Sequence, residues 1–191
     1  MDFISFLIYC FIVTFTPGPT NIVILSTVHN YGTKKAMEYT YGATIAFGLL
    51  LALSAVLNTV ILSVIPKVLV GMQIVGTIYM LYLAYQIYKN DTPELANHKT
   101  GTFISGFLMQ FLNPKVLLFA MTVIPTLVLP YYTNVSAVSL SVIVITIIGF
   151  LAFITWVLFG VIFKKFLQRN KKVVHAVMAL SLVCVTVMIW L

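Results

Sequence analysis

The chain of 191 residues is 61% hydrophobic and 8% charged, and it carries a formal net charge of +7. A soluble domain has roughly 25% charged residues, so this chain has too few polar side chains to cover a water-facing globule. The composition therefore excludes an ordinary soluble protein. It predicts a single membrane domain over residues 1–191, because no polar stretch is long enough to fold separately.

Several apolar runs are long enough to cross a bilayer, which requires about 20 residues in a helix. In chain order they are residues 3–28, 37–64, 68–88, 102–129, 136–163 and 173–191. We therefore expect an all-α integral membrane protein with six transmembrane helices. Small residues in the second run (Gly42, Ala46 and Gly48) and in the fifth (Gly149 and Gly160) predict close packing between helices.

The basic residues of the connections lie almost entirely on one side of the membrane. The first, third and fifth connections hold Lys34, Lys35, Lys89, Lys99, Lys164, Lys165, Arg169, Lys171 and Lys172, whereas Lys67 is alone on the other side. Basic residues in short loops stay cytoplasmic. This predicts a multi-pass protein of the plasma (inner) membrane, with a cytoplasmic loop at 89–101 and both termini outside. The positive charge is then a topology signal that contacts membrane lipids, and no nucleic-acid partner is expected.

Two predicted spans are interrupted near their centres. The interruptions are Thr16-Pro17-Gly18-Pro19-Thr20-Asn21 in the first span and Gln110-Phe111-Leu112-Asn113-Pro114-Lys115 in the fourth. Proline has no amide hydrogen and clashes with the carbonyl four residues earlier, so a regular helix cannot continue through it. Matching breaks in two sets of three spans predict inverted repeats, at residues 1–90 and 100–191, with a substrate site at the breaks.

Lys115 is the charged residue that lies deep inside a predicted span. Placing a lysine at the centre of a membrane helix costs about 2.5–3.5 kcal/mol on insertion scales, so such a residue marks a functional site. Helical spacing places Phe111, Phe119 and Thr122 on its face. The lysine and the start of the half-helix after Pro114 suit a carboxylate.

The same region also offers groups for an ammonium ion and further donors for a carboxylate. The acceptors are the carbonyls of Val13, Phe15 and Gln110, with the side chains of Asn21, Asn113 and Gln110, and the further donors are the amides of Thr20, Asn21 and Ile22. One cation among neutral acceptors fits a zwitterion. We therefore predict an amino-acid site formed by Thr16, Pro17, Gly18, Pro19, Thr20, Asn21, Gln110, Asn113, Pro114 and Lys115.

The cargo and its energy source follow less directly from the residues. The spans hold no interior carboxylate for a second cationic group, which favours neutral amino acids, with hydroxylated or small apolar side chains, over basic ones. No relay of carboxylates crosses the spans, so we hypothesise that Lys115 exchanges a proton during transport. The histidines are scattered and there is no CxxC motif, so we expect neither an enzyme, a metal site nor a cofactor.

Four stretches resemble the LysE/RhtB family of amino-acid exporters. They are TPGPTN at 16–21, GTKKAMEYTYGATIAFG at 32–48, GTIYMLYLAYQIY at 76–88 and GFLMQFLNPK at 106–115. The resemblance implies secondary active efflux of amino acids such as threonine, homoserine or lysine, driven by the proton gradient. The resemblance implies that the functional motif residues of the family correspond here to Pro17, Gly18, Pro19, Asn21, Asn113, Pro114 and Lys115. The correspondence is looser at Gly32, Gly42, Gly48 and Gly76. Ala36 departs from the pattern, because a glycine is expected there in the first cytoplasmic connection.

Other functions remain open at this point. Broken helices also line passive pores, in which Lys115 would favour anions, and saturable, gradient-coupled flux would separate a carrier from a pore. The other alternative is a carrier that exports another small solute, such as a basic amino acid. Transport of metal ions is disfavoured because hard cations need carboxylates and transition metals need His or Cys. Homo-oligomerisation is left open by the sequence.

Overall fold

The computed structural model describes residues 3–57, 101–163, 169 and 171–188, and parts of 74–89. The described residues form helices joined by short turns and contain no strand. The helices are α1 (Phe3–Phe15), α2 (Pro19–Tyr31), α3 (Thr33–Val56), α4 (Phe103–Leu112), α5 (Pro114–Thr122), α6 (Val135–Ile162) and α7 (Lys171–Met188). A π-helical segment, Val123–Val128, continues α5. The predicted all-α class is confirmed.

Helix length and composition provide up to four membrane spans in the described residues. The helices α3 and α6 are each long and apolar enough to cross a membrane. The pair α1 and α2 is bent by 48°, and the pair formed by α4 and the continuous segment Pro114–Val128 is bent by 65°. These elements lie where the first, second, fourth and fifth spans were predicted. Helix α7 covers most of the predicted sixth span, and the predicted third span, 68–88, lies mostly outside the described residues.

The first connection is shorter than the sequence predicts. Helices α2 and α3 are separated by Gly32 alone, whose φ of 83° lies in the region that favours glycine. Ala36, the departure from the family pattern, is a fully buried residue in the first turns of α3 and not a loop residue. The basic residues of this connection therefore belong to the start of α3, where Lys35 forms an ion pair with Glu38 at 2.7 Å.

Helices α3 and α4 cross with their backbones in direct contact. A Cβ atom added to Gly42 would overlap the backbone carbonyl of Phe103, and one added to Gly106 would overlap the carbonyl of Tyr39. Small residues allow membrane helices to approach this closely. The close packing predicted for the second span is confirmed at Gly42. The sequence analysis did not identify Gly106, its partner in α4.

Two buried apolar clusters lie on either side of the breaks. The first cluster joins α2, the start of α3, α4, the later part of α6 and α7, and includes Ile24, Val28, Tyr39, Met109, Val157 and Met178. The second joins α1, the later part of α3, α5 and its π segment, and the earlier part of α6, and includes Cys10, Leu51, Leu117, Val123 and Ile145. The two halves of each bent pair contribute to different clusters. The second break (Asn113 and Pro114) is buried, whereas in the first break Gly18 is buried and Thr16 and Pro17 are exposed.

Candidate functional site

The first break separates α1 from α2 over Thr16, Pro17 and Gly18. Helix α1 ends because neither Pro17 nor Pro19 can donate a backbone hydrogen bond. Pro19 then takes the first position of α2, where a missing amide hydrogen costs little. Gly18 is buried and extended, and a Cβ atom there would lie 3.0 Å from Cδ and 3.3 Å from Nζ of Lys115. Glycine at this position leaves room for the lysine side chain.

The second break is organised by Asn113, which caps α5. Its Oδ1 accepts from the amide of Lys115 at 3.1 Å, and its carbonyl accepts from the amides of Val116 and Leu117 at 3.0 and 3.1 Å. The start of this half-helix, which the sequence predicted to suit a carboxylate, therefore offers no free amide at Lys115 or Val116, because Asn113 already accepts from both. The positive end of the helix dipole still lies at this break.

Three side-chain hydrogen bonds join the two breaks. Thr20 Oγ1 accepts from Gln110 Nε2 at 3.0 Å and from Asn113 Nδ2 at 2.8 Å. Lys115 Nζ donates to the carbonyl oxygen of Thr16 at 2.7 Å. We call this set of residues, together with Asn21, the junction. It brings together residues that the sequence predicted to share one site although they come from two distant segments.

Two amide oxygens in the junction are buried without a hydrogen-bond partner among the described residues. They are Oδ1 of Asn21 and Oε1 of Gln110, in side chains that are 3% and 0% exposed. Asn21 Nδ2 donates to the carbonyls of Thr16 at 3.0 Å and Thr14 at 3.4 Å, which fixes the orientation of its amide. An unsatisfied buried acceptor costs about 1–3 kcal/mol. Both oxygens are therefore suited to accept from a ligand or a water molecule.

The carbonyl acceptors differ from the predicted set. The carbonyl of Phe15, expected to be free, accepts from Nε1 of Trp156 in α6 at 3.3 Å. The carbonyl of Thr16, which the sequence did not single out, is the one that Lys115 contacts. The amide of Ile22, also expected to be free, donates within the first turn of α2 at 3.0 Å. The sequence signal for this bond was Trp156 itself, because an indole N–H inside an apolar span needs an acceptor, and the side chain is half-buried in the structure.

A cavity of about 30 Å³ lies beside the junction. Its lining residues are Val13, Thr14, Gly18, Thr20, Asn21, Phe47, Asn113, Lys115, Val116, Phe119, Gly149 and Phe153. Such a volume holds about two water molecules, since each needs roughly 10–15 Å³ of this space. The cavity is therefore too small to enclose an amino acid.

The predicted site residues take three different positions around this cavity. Gly18, Thr20, Asn21, Asn113 and Lys115 line it. Thr16 and Gln110 bond to lining residues, whereas Pro17, Pro19 and Pro114 shape the backbone and are not among the lining residues. Phe119 lines the cavity as its spacing from Lys115 suggested, but Phe111 and Thr122 do not. The contributions of α3 and α6 (Phe47, Gly149 and Phe153) were not predicted.

Comparison with known proteins gives the family. A profile of LysE type translocators matches residues 11–191. The chain belongs to this family. Relatives of this translocator include the cysteine/O-acetylserine efflux proteins of Escherichia coli (strain K12), Shigella flexneri serotype 5b (strain 8401) and Shigella sonnei (strain Ss046). Each is 28% identical to it over 187 residues, which cover 97% of this chain and 96% of the relative. No significant match to a solved structure was found.

Membership of the LysE type translocators confirms several predictions. The resemblance was correct, and the chain is a membrane transporter and not an enzyme. The prediction of an amino-acid efflux protein is confirmed at the level of the family. The number of spans, their orientation, the cargo, the coupling ion and the roles of the site residues stay predictions. Among the described residues of this translocator, no group of three His, Cys, Asp or Glu side chains could hold a metal ion.

The junction of this translocator should depend on the hydroxyl of Thr20. In Thr20→Val the amide donors of Gln110 and Asn113 lose their common acceptor, at a cost of about 1–3 kcal/mol for each. We expect a lower melting temperature of the detergent-purified protein and slower export. Thr20→Ser keeps the oxygen and should resemble the wild type in both measurements. A wild-type melting temperature for the valine variant would contradict the two hydrogen bonds.

Proposed function

We propose that this translocator exports neutral amino acids from the cytoplasm by alternating access around the junction. The observation that carries the proposal is the arrangement of Lys115 and Asn21. Lys115 Nζ and Asn21 Nδ2 both donate to the carbonyl oxygen of Thr16, at 2.7 and 3.0 Å, so a cation and a buried amide lie within one hydrogen bond of the same atom. The oxygen of that amide has no partner among the described residues.

A zwitterionic amino acid complements this arrangement. Its carboxylate binds Lys115 Nζ, which then leaves the carbonyl of Thr16, and its ammonium group donates to that carbonyl and to Oδ1 of Asn21. The exchange replaces the charge-assisted bond of Lys115 to a neutral carbonyl with an ion pair, and the ammonium group of the cargo restores a charge-assisted bond to the carbonyl of Thr16, which favours the exchange. Lys115 is available for it, because Glu38, the acidic residue in the described part of the chain, is paired with Lys35 at 2.7 Å.

The size of the cavity supports transport by alternating access. A space of about 30 Å³ is too small for an amino acid, so the elements around the junction must separate to admit one. Both apolar clusters contribute to the cavity lining, the first through Phe153 and the second through Phe47 and Phe119, and movement of one cluster relative to the other would expose the junction to each compartment in turn. Paired broken helices with a central site are typical of carriers built from inverted repeats, here 1–90 and 100–191.

The choice of cargo rests on charge and on the relatives. The predicted spans contain no carboxylate that could bind a second cationic group, which favours neutral amino acids over lysine and arginine. The relatives named as cysteine/O-acetylserine efflux proteins support a cargo with a small, uncharged side chain. We further propose that the proton gradient drives efflux across the plasma (inner) membrane, with both termini outside and proton exchange at Lys115.

Export profiling tests the proposal. Cells that produce the translocator and cells with the empty vector are fed mixed dipeptides, and every amino acid in the medium is quantified. We expect one or a few neutral amino acids to accumulate only with the translocator, and an uncoupler that collapses the proton gradient to stop the accumulation. Identical profiles, with the protein confirmed in the membrane, would overturn the proposal. Flux that does not saturate with internal concentration would favour a pore.

A further inference from the structure

The apolar part of the cavity lining is built around three phenylalanines. The ring of Phe47 stacks on that of Phe119, with centroids 5.9 Å apart and planes at 24°, and meets the ring of Phe153 edge-on at 6.4 Å and 66°. Each of these side chains is at most 5% exposed. Phe47 contacts both of the others and is therefore the centre of an aromatic wall that comes from α3, α5 and α6.

Gly149 determines where the ring of Phe47 lies. A Cβ atom added to Gly149 in α6 would overlap this ring, with its Cδ1 atom only 2.7 Å away, well inside van der Waals contact. The aromatic ring therefore occupies space that any other residue at position 149 would fill. Because the surrounding side chains are close-packed, a ring pushed away from Gly149 must move into space beside the cavity or into the cavity itself.

The aromatic wall faces the part of an amino acid that the junction does not hold. The junction binds the carboxylate and the ammonium group, so the side chain of the cargo must meet the remaining lining. That lining consists of Val13, Val116 and the aromatic wall, together with Thr14, whose hydroxyl already donates to the carbonyl of Cys10 at 2.7 Å. The hydroxyl of Thr14 can still accept a hydrogen bond from a small polar side chain, and the lining leaves little space for a bulky one.

From this geometry we infer that Phe47 restricts the cargo to amino acids with small, uncharged side chains, and that Gly149 sets the depth of the pocket by holding the ring back. The inference rests on the proposed function and adds its specificity-determining residue. The carboxylate and ammonium contacts at the junction are common to all amino acids, so they cannot distinguish one side chain from another. Discrimination must therefore come from the wall.

Substitutions at Phe47 and Gly149 should change the size of the exported amino acids in opposite directions. Phe47→Leu and Phe47→Ala enlarge the pocket, and we expect export of leucine, methionine and phenylalanine to rise relative to the wild-type cargo, on the order of tenfold or more. Gly149→Ala pushes the ring forward and should first slow export of the largest amino acids that the wild type carries. Phe103→Ala, which truncates a side chain that is 41% exposed and does not line the cavity, is the matched control.

The readouts separate a failure of this inference from a failure of the proposed function. If the wild type exports no amino acid, the proposed function is wrong. If the wild type exports small amino acids and Phe47→Leu or Phe47→Ala reaches the membrane with an unchanged profile, Phe47 does not select the cargo. A broadened profile in Phe103→Ala as well would indicate general loosening and would also overturn the inference. Export of new amino acids cannot arise from misfolded protein.

A measurement on the wild type alone keeps the inference testable if the variants fold poorly. Inside-out membrane vesicles take up a labelled small amino acid that the wild type exports, in the presence of excess unlabelled competitors. We expect alanine, serine or cysteine to compete and leucine and phenylalanine not to compete. Equal competition by the large and small amino acids would overturn the size restriction, whichever residue forms the wall.

Discussion

Replacing Lys115 by alanine is expected to lower the rate of amino-acid export by about 30-fold or more. Removing one partner of a close charge pair costs about 2–5 kcal/mol of binding, and each 1.4 kcal/mol is about a factor of ten. The variant should still reach the membrane, because a lysine in the middle of a span disfavours insertion by about 2.5–3.5 kcal/mol. The carbonyl of Thr16 also keeps its bond from Asn21 at 3.0 Å. Initial efflux rates at matched protein levels give the measurement.

Two controls distinguish the site lysine from other basic residues. Lys35 is exposed and paired with Glu38, and such surface ion pairs contribute only about 0–1 kcal/mol, so Lys35→Ala should export at nearly the wild-type rate. Lys115→Arg keeps the charge but must place a larger head group beside Gly18, where the lysine side chain already fills the space. We expect it to export slowly. Wild-type export by Lys115→Ala would show that the lysine does not bind the cargo.

Replacing Gly106 by valine is expected to prevent most of the protein molecules from folding. The Cβ atom would overlap the backbone carbonyl of Tyr39, and no side-chain rotation relieves a clash with backbone. Overpacking costs about 1–3 kcal/mol in ordinary cores, and we expect on the order of 3 kcal/mol or more here because two helix backbones must separate. The measurements are the amount of protein in the membrane and the melting temperature in detergent.

A second glycine of the same bundle provides the comparison. A Cβ atom at Gly48 would lie 3.1 Å from Oγ1 and 3.2 Å from Cγ2 of Thr146, a side chain that can shift. Gly48→Ala should therefore lower the melting temperature only slightly. If Gly106→Val has the melting temperature of the wild type, the backbones of α3 and α4 are not in direct contact at this position. If Gly48→Ala is as damaging as Gly106→Val, the cost does not depend on backbone contact.

The positions of the breaks and of the charged site residue were predictable from the sequence. Pro17, Pro19 and Pro114 end or begin helices because they lack an amide hydrogen, which is a property of each residue itself. Lys115 stood out because a charge inside a membrane span is costly wherever the other helices lie. The all-α class follows in the same way from long apolar runs, since a helix satisfies its backbone groups within its own segment.

The partners of these groups were decided by the tertiary structure. Lys115 contacts a carbonyl 99 residues away, and Trp156 donates to the carbonyl of Phe15, 141 residues away, so both bonds depend on how distant segments pack. Hydropathy and helical spacing determine which face of a helix is apolar, but not which neighbour meets that face. The capping of α5 by Asn113 is local and was still missed, because its side chain had been assigned to a ligand.

The aromatic wall is the clearest example of a feature that the tertiary structure decided and that single residues did not indicate. In the sequence, Phe47, Phe119 and Phe153 are ordinary phenylalanines of apolar spans, and Gly149 is a small residue at a helix contact. Only the packing of α3, α5 and α6 brings the rings beside the polar junction and leaves space at Gly149 for one of them. The sequence by itself therefore determined where the helices break and where the charge lies, because those depend on single residues. The tertiary structure decided what surrounds the cavity, because contacts between distant side chains exist only after the helices pack.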